Sequence, residues 1–109
     1  MTTIEEVKEK IETYKCIADL PRLYFAGKIG DKTHVGSVYL DIDNNGKLGL
    51  CCADVSCGSK KWGGREPNAS NLRGKVLITC KRCGGEKVVD LDERNAEYKE
   101  IIPLIGTKI

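Results

Sequence analysis

Aromatic side chains are scarce in this chain, with one Phe, one Trp and four Tyr among 109 residues, beside a single His and three Pro. One domain of this length therefore has a thin core, and a cross-link or bound metal is expected to supplement it. The lone histidine, His34, has no partner pattern that makes it a ligand or a catalytic base, and no nucleophile–base pairing is visible elsewhere. An enzyme is not expected. Long apolar runs are also missing: no stretch approaches the ~18 residues that span a bilayer. The opening MTTIEEVKEK has neither the basic start nor the apolar stretch of a secretion signal. The expectation is a cytoplasmic protein with no membrane partner and no small-molecule substrate.

Cysteine, by contrast, is plentiful. Of the six, Cys51, Cys52 and Cys57 fall within LCCADVSCG, and Cys80 and Cys83 within TCKRCGG. Clustered thiols in a reducing cytosol hold metal more often than they form disulfides, although disulfide pairing is the competing use in an exported or hyperthermophilic protein. Charge is unevenly spread. Residues 1–57 sum to −2, residues 58–87 to +6 and residues 88–109 to −2, so the basic stretch coincides with the segment bounded by the cysteine pairs.

The periodicity predicts a single α+β domain spanning residues 1–109. A helix over 3–18 follows from Ile4, Val7, Ile11 and Tyr14 at helical spacing, with Thr3 and Glu6 in a capping-box pattern and Pro21 beyond its end. A β module over 22–90 begins with RLYFAGKIG and HVGSVYLDID, and KLGLCC follows an Asn-Asn-Gly turn. A three-residue loop, Asn44-Asn45-Gly46, with Gly46 left-handed, aligns Val38, Leu40 and Ile42 with Leu48, Leu50 and Cys52. Cys51 then points to the other face. GSKKWGGREPNASNLRG reads as a long loop, and KVLITC and EKVVDL as a hairpin whose turn is KRCGG. A last helix over 92–102, capped by Asp90 with Glu93, buries Leu91, Tyr98 and Ile102 and stops at Pro103.

Cys80-Lys-Arg-Cys83-Gly84-Gly85 carries the strongest chemical signal. Two intervening residues let both thiolates converge on one tetrahedral ion, and the glycines permit a tight turn whose amides point at sulfur. Cys52 and Cys57, with four residues between them, supply a second pair after which 22 residues lead to Cys80. Over roughly residues 47–90 the chain resembles the zinc-ribbon group, in which two cysteine knuckles on β-hairpins clasp one zinc. It departs from the group in its longer first knuckle and in lacking proline after either leading cysteine. The resemblance implies one structural zinc held by Cys52, Cys57, Cys80 and Cys83, with no open position for catalysis. A rubredoxin-type iron uses the same ligands, but nothing adds to that case. Cys16 and Cys51 are left as packing thiols.

Between and around the pairs lie Lys60, Lys61, Arg65, Arg73, Lys75, Lys81, Arg82 and Lys87, with Trp62 among them. Such cations neutralise phosphates, and an exposed Trp stacks on a base; the plainer alternative is a solvated loop with Trp62 folded onto the core. The leading expectation is a small zinc-binding protein that binds DNA or RNA through this basic stretch. The alternative is a protein-interaction module that regulates or inhibits a larger assembly. Three weaker patterns are set aside. DIDNNGKL lacks the closing Glu of a calcium loop, the Asn68-Ala69-Ser70 sequon is idle without secretion, and Asp41, Asp43 and Asp54 are read as ordinary surface beside a turn.

Overall fold

A computed structural model describes residues 2–54, 59–61 and 68–109. It is an α+β arrangement with two antiparallel sheets. Helix α1 (Ile4–Thr13) starts where expected, because the Thr3 hydroxyl accepts the Glu6 amide at 3.3 Å and donates back to the Glu6 carboxylate. Val7 and Ile11 are buried, and Ile4 and Tyr14 pack at the edge of the core. The helix ends five residues before the expected boundary of 18. The Thr13 hydroxyl bonds back to the Glu9 carbonyl at 2.7 Å, a local bond that competes with helix continuation, and Tyr14 turns extended. A 3-10 turn over Ile17–Asp19 then brings Ile17 and Leu20 into the core.

Strands β1 (Arg22–Ile29), β2 (Lys32–Ile42), β3 (Leu48–Asp54) and β4 (Ser59–Lys61) form one sheet in that order. In the first hairpin Phe25 lies opposite Gly36, and a side chain at Gly36 would stand 2.8 Å from the Phe25 ring. The glycine makes room for the chain's one Phe. The β2–β3 loop has the expected form. Asp43 donates its amide to the Lys47 carbonyl at 2.9 Å, Gly46 sits at φ +75°, and Leu40 and Ile42 face Leu50 and Leu48. The Asp43 carboxylate braces the loop from within, accepting the Asn45 and Lys47 amides at 2.8 and 3.0 Å.

Part of the stretch expected to be a loop is structured. Ser59–Lys61 pairs with Cys52–Asp54 as β4, and Asn68 caps a 3-10 turn over Ala69–Leu72 that buries Leu72 completely. Three residues without alternation carry no strand signal of their own; the pairing is supplied by the neighbouring strand. Strands β5 (Lys75–Thr79) and β6 (Glu86–Asp90) form the second sheet, a two-stranded ribbon with the cysteine turn at its tip.

The C-terminal segment differs most from expectation. Asp90 does cap a helix, accepting the Glu93 amide at 3.1 Å, but α2 (Leu91–Arg94) is one turn long. Separate 3-10 turns follow over Ala96–Tyr98 and Ile102–Leu104, the latter containing Pro103 rather than being stopped by it. Leu91, Tyr98 and Ile102 are nevertheless buried, with Ile101 added. The helix is broken at Asn95, whose side chain is 2% exposed. Its amide oxygen accepts the Tyr24 N–H at 2.9 Å, and its amide nitrogen donates to the Tyr24 and Leu72 carbonyls at 2.9 and 2.8 Å. The tail then returns to β3, where Leu48 bonds Thr107 and Gly106.

Replacing Asn95 with Ala leaves the Tyr24 amide and two carbonyls short of partners. A loss of about 3 kcal/mol in urea unfolding is expected, against less than about 0.5 kcal/mol for Ala at the exposed Asn71.

Candidate metal knuckle and basic ribbon

The turn joining β5 to β6 has the geometry of a sulfur-directed knuckle. The Cys80 amide donates to the Gly85 carbonyl at 2.8 Å and the Gly84 amide to the Cys80 carbonyl at 2.9 Å, closing the loop with Gly84 at φ +72°. With the chain folded so tightly, amides aim at the sulfurs. Gly85 N–H lies 3.4 Å from Cys83 Sγ. The Cys80 thiol is pulled below its ordinary pKa by hydrogen bonds from the Cys83 amide, then the Arg82 amide and the Cys83 thiol, against a small opposing desolvation. Both are free, exposed thiols. Donors arranged around sulfur stabilise the thiolate, which is the form that binds metal.

The other pair is differently placed. Cys52 is half-buried in β3 opposite Lys61, and Cys57 lies outside the described residues. Among the described residues, no three Cys, His, Asp or Glu side chains gather as a metal-binding group, so Cys52 is not brought together with Cys80 and Cys83. The Cys80–Cys83 turn fits half of a zinc site in donor type and amide support. Cys51, opposite Tyr39, is fully buried in the core as a packing residue. Cys16 is exposed instead of packed, since the early end of α1 leaves it on the outside of the connecting turn. His34 is exposed.

The basic residues do not form one uniform face. Lys81 and Arg82 are exposed within the knuckle, Lys75 and Lys87 are exposed along the ribbon, and Arg73 is exposed just before β5. Strand alternation puts Lys75 on the side of Leu77 and Val88, and Lys87 on the side of Val76 and Ile78. Lys61 belongs to β4, while Trp62 and Arg65 lie outside the described residues.

Lys60 is committed elsewhere. It forms an ion pair with Asp41, which is 3% exposed rather than ordinary surface, and stands over the Tyr14 ring at 4.6 Å. Asp41 also accepts the Ile42 amide at 2.8 Å. Desolvation alone would lower the Lys60 pKa, but the bonds to Asp41 and Tyr14 outweigh it and the net shift is upward. Lys60 thus fastens β4 and the end of α1 to β2. No spacing rule links positions 14, 41 and 60; only the sheet order does.

A second feature escaped the sequence pattern. Leu77 and Val88 are cross-strand partners on the ribbon, 48% and 60% exposed, where a run such as KVLIT reads simply as buried strand. The clue available was the hairpin itself, because a two-stranded ribbon has two faces and the domain covers only one.

Comparison with protein-family models, curated proteins and solved structures gave no match. The class defined is therefore structural: an α+β chain with two antiparallel sheets and a cysteine knuckle on the smaller one. Among the described residues no helix is long and apolar enough to cross a membrane.

Substituting Lys60 with Ala leaves a buried carboxylate unpaired, and a destabilisation of about 2 kcal/mol in chemical unfolding is expected. Because the folded-state pKa of Lys60 is raised, its contribution is complete below the unfolded value near 10.5 and fades as pH rises through the folded one. The gap between parent and a Lys60→Met variant should accordingly narrow at strongly alkaline pH; an unchanged gap at all pH values would contradict this role.

Proposed function

We propose that this chain is a small zinc-binding protein that contacts nucleic acid through its basic, knuckle-tipped ribbon. The observation that carries the reading is the convergence of backbone amides on the Cys80 and Cys83 sulfurs, with Lys81 and Arg82 exposed in the same turn. Zinc at such a site stabilises folding and leaves no position for substrate. Cys80 and Cys83 are one pair of ligands in this proposal; Cys52 and Cys57 are the second, and because Cys52 does not stand with Cys80 and Cys83 among the described residues, metal binding has to draw the two pairs together. The exposed cations along β5 and β6 supply phosphate affinity, with Trp62 a stacking residue for a base. Lys60 is excluded from the contact set because its charge is already paired with Asp41.

Native mass spectrometry is expected to give one zinc per chain, lost in Cys80→Ser, Cys83→Ser and Cys52→Ser but retained in Cys51→Ser. A metal-free mass lowered by the hydrogens lost in disulfide formation would overturn the zinc reading. Binding to a single-stranded oligonucleotide should weaken steeply with salt, and removing both Lys81 and Arg82 should reduce the slope of log affinity against log salt by about 1.5. Absence of binding to DNA and RNA at low salt would end the nucleic-acid reading.

One observation favours a second reading. The exposed Leu77–Val88 pair is an apolar contact that a protein partner would cover, consistent with a regulator or inhibitor docking by its ribbon. Leu77→Ser together with Val88→Ser should leave oligonucleotide affinity unchanged if the first reading holds, and a loss confined to a protein partner would identify the second.

A further inference from the structure

At the base of the ribbon, opposite the knuckle, a cavity of ≈ 560 Å³ opens between the chain before β5 and the C-terminal turns. Two cations line it, Arg73 from the chain leading into β5 and Lys99 from the turn after Tyr98, both exposed. Ala96, Ile102 and Pro103 form an apolar wall. Asn95 contributes a floor whose side-chain amide is already committed to Tyr24 and Leu72. One carboxylate, Asp92, is also present, and its Oδ1 accepts the Gly74 amide at 3.2 Å.

The charges here are unspent. Among the described residues the one ion pair is that of Lys60 with Asp41, so neither Arg73 nor Lys99 is held by a carboxylate. Two positive side chains of different character converge on one concave space. Arginine offers a planar fork that grips two oxygens of one phosphate, and lysine a mobile point charge that closes on a third. An apolar wall beside them suits a sugar or base edge rather than a bare ion, and the volume accommodates a nucleotide-sized group.

We propose that the cavity between Arg73 and Lys99 is a binding site for the phosphate group of a nucleotide unit. The phosphate chemistry stands on the cavity itself; that the unit belongs to a polynucleotide rests on the function proposed above. Arg73 is eight residues of chain from Lys81, or roughly 26 Å along an extended strand. A single strand held at both places would run the length of the ribbon, from knuckle to base. Arg73 then belongs with Lys99, a residue outside the basic middle of the sequence, more than with its neighbours in the chain.

The test is an amide chemical-shift titration of the 109-residue protein as purified with three probes at low salt: inorganic phosphate, a 5′-mononucleotide, and a short single-stranded oligonucleotide. Shifts at Ala96 and Lys99 that saturate with the mononucleotide and the oligonucleotide are expected, with weaker response to inorganic phosphate. Arg73→Ala and Lys99→Ala should each lower mononucleotide affinity about tenfold without moving the thermal midpoint, since both side chains are exposed. Mononucleotide binding here without oligonucleotide binding supports the cavity and sinks the polymer reading. Oligonucleotide binding confined to Lys81 and Arg82, with no response at Ala96 or Lys99 to any probe, overturns the cavity and leaves the function proposed above intact.

Discussion

The side chain of Asn95 ties together three parts of the molecule that are remote in sequence. Acting as a short substitute strand, it satisfies both backbone groups of Tyr24 on the outer edge of β1 and holds the Leu72 carbonyl just before β5. An open sheet edge buried against other elements would otherwise strand polar groups at a cost of ~1–3 kcal/mol each. By stopping α2 after one turn, the same residue also directs the C-terminal turns across the core, where Tyr98, Ile101 and Ile102 close it. The base of the ribbon, the edge of the large sheet and the start of the C-terminal turns therefore meet at one amide. Asn95 also lines the cavity at the base of the ribbon.

A second polar device, the Lys60–Asp41 pair beneath the Tyr14 ring, does for β4 what Asn95 does for β1. Both edges of the large sheet are thus fixed by polar side chains rather than by broad apolar packing. That division suits a chain poor in aromatic residues. Its buried set is mostly Leu, Ile and Val, drawn from α1 through to the C-terminal turns, and the one Phe rests on a glycine instead of filling a pocket. Polar ties specify one arrangement where a thin core alone would permit several.

Local patterns were legible wherever a short-range rule governs geometry. Thr3 and Asp90 announce helix starts because a hydroxyl or carboxylate can satisfy an amide three residues on. Gly46 fixes the β2–β3 loop, and with it the facing of Leu40 and Leu50, because strand register follows from loop length. The spacing and glycines of CKRCGG foretold amides turned toward sulfur. Where the reading failed, distance in sequence was the reason. The C-terminal segment leaves the helix at Asn95, whose side chain bonds Tyr24, 71 residues away, and β4 exists only against β3.

The sequence by itself determined the α+β class, the hairpins, the β2–β3 register, the capped helix starts and the knuckle, since each depends on contacts within a few residues or on an alternation that a strand must keep. Tertiary structure alone decided which charges are available. Lys60 and Arg73 look alike along the chain, yet one is spent on a buried carboxylate and the other faces an open cavity with Lys99. Coulomb interactions depend on separation and surroundings in space, and neither is written in the order of residues.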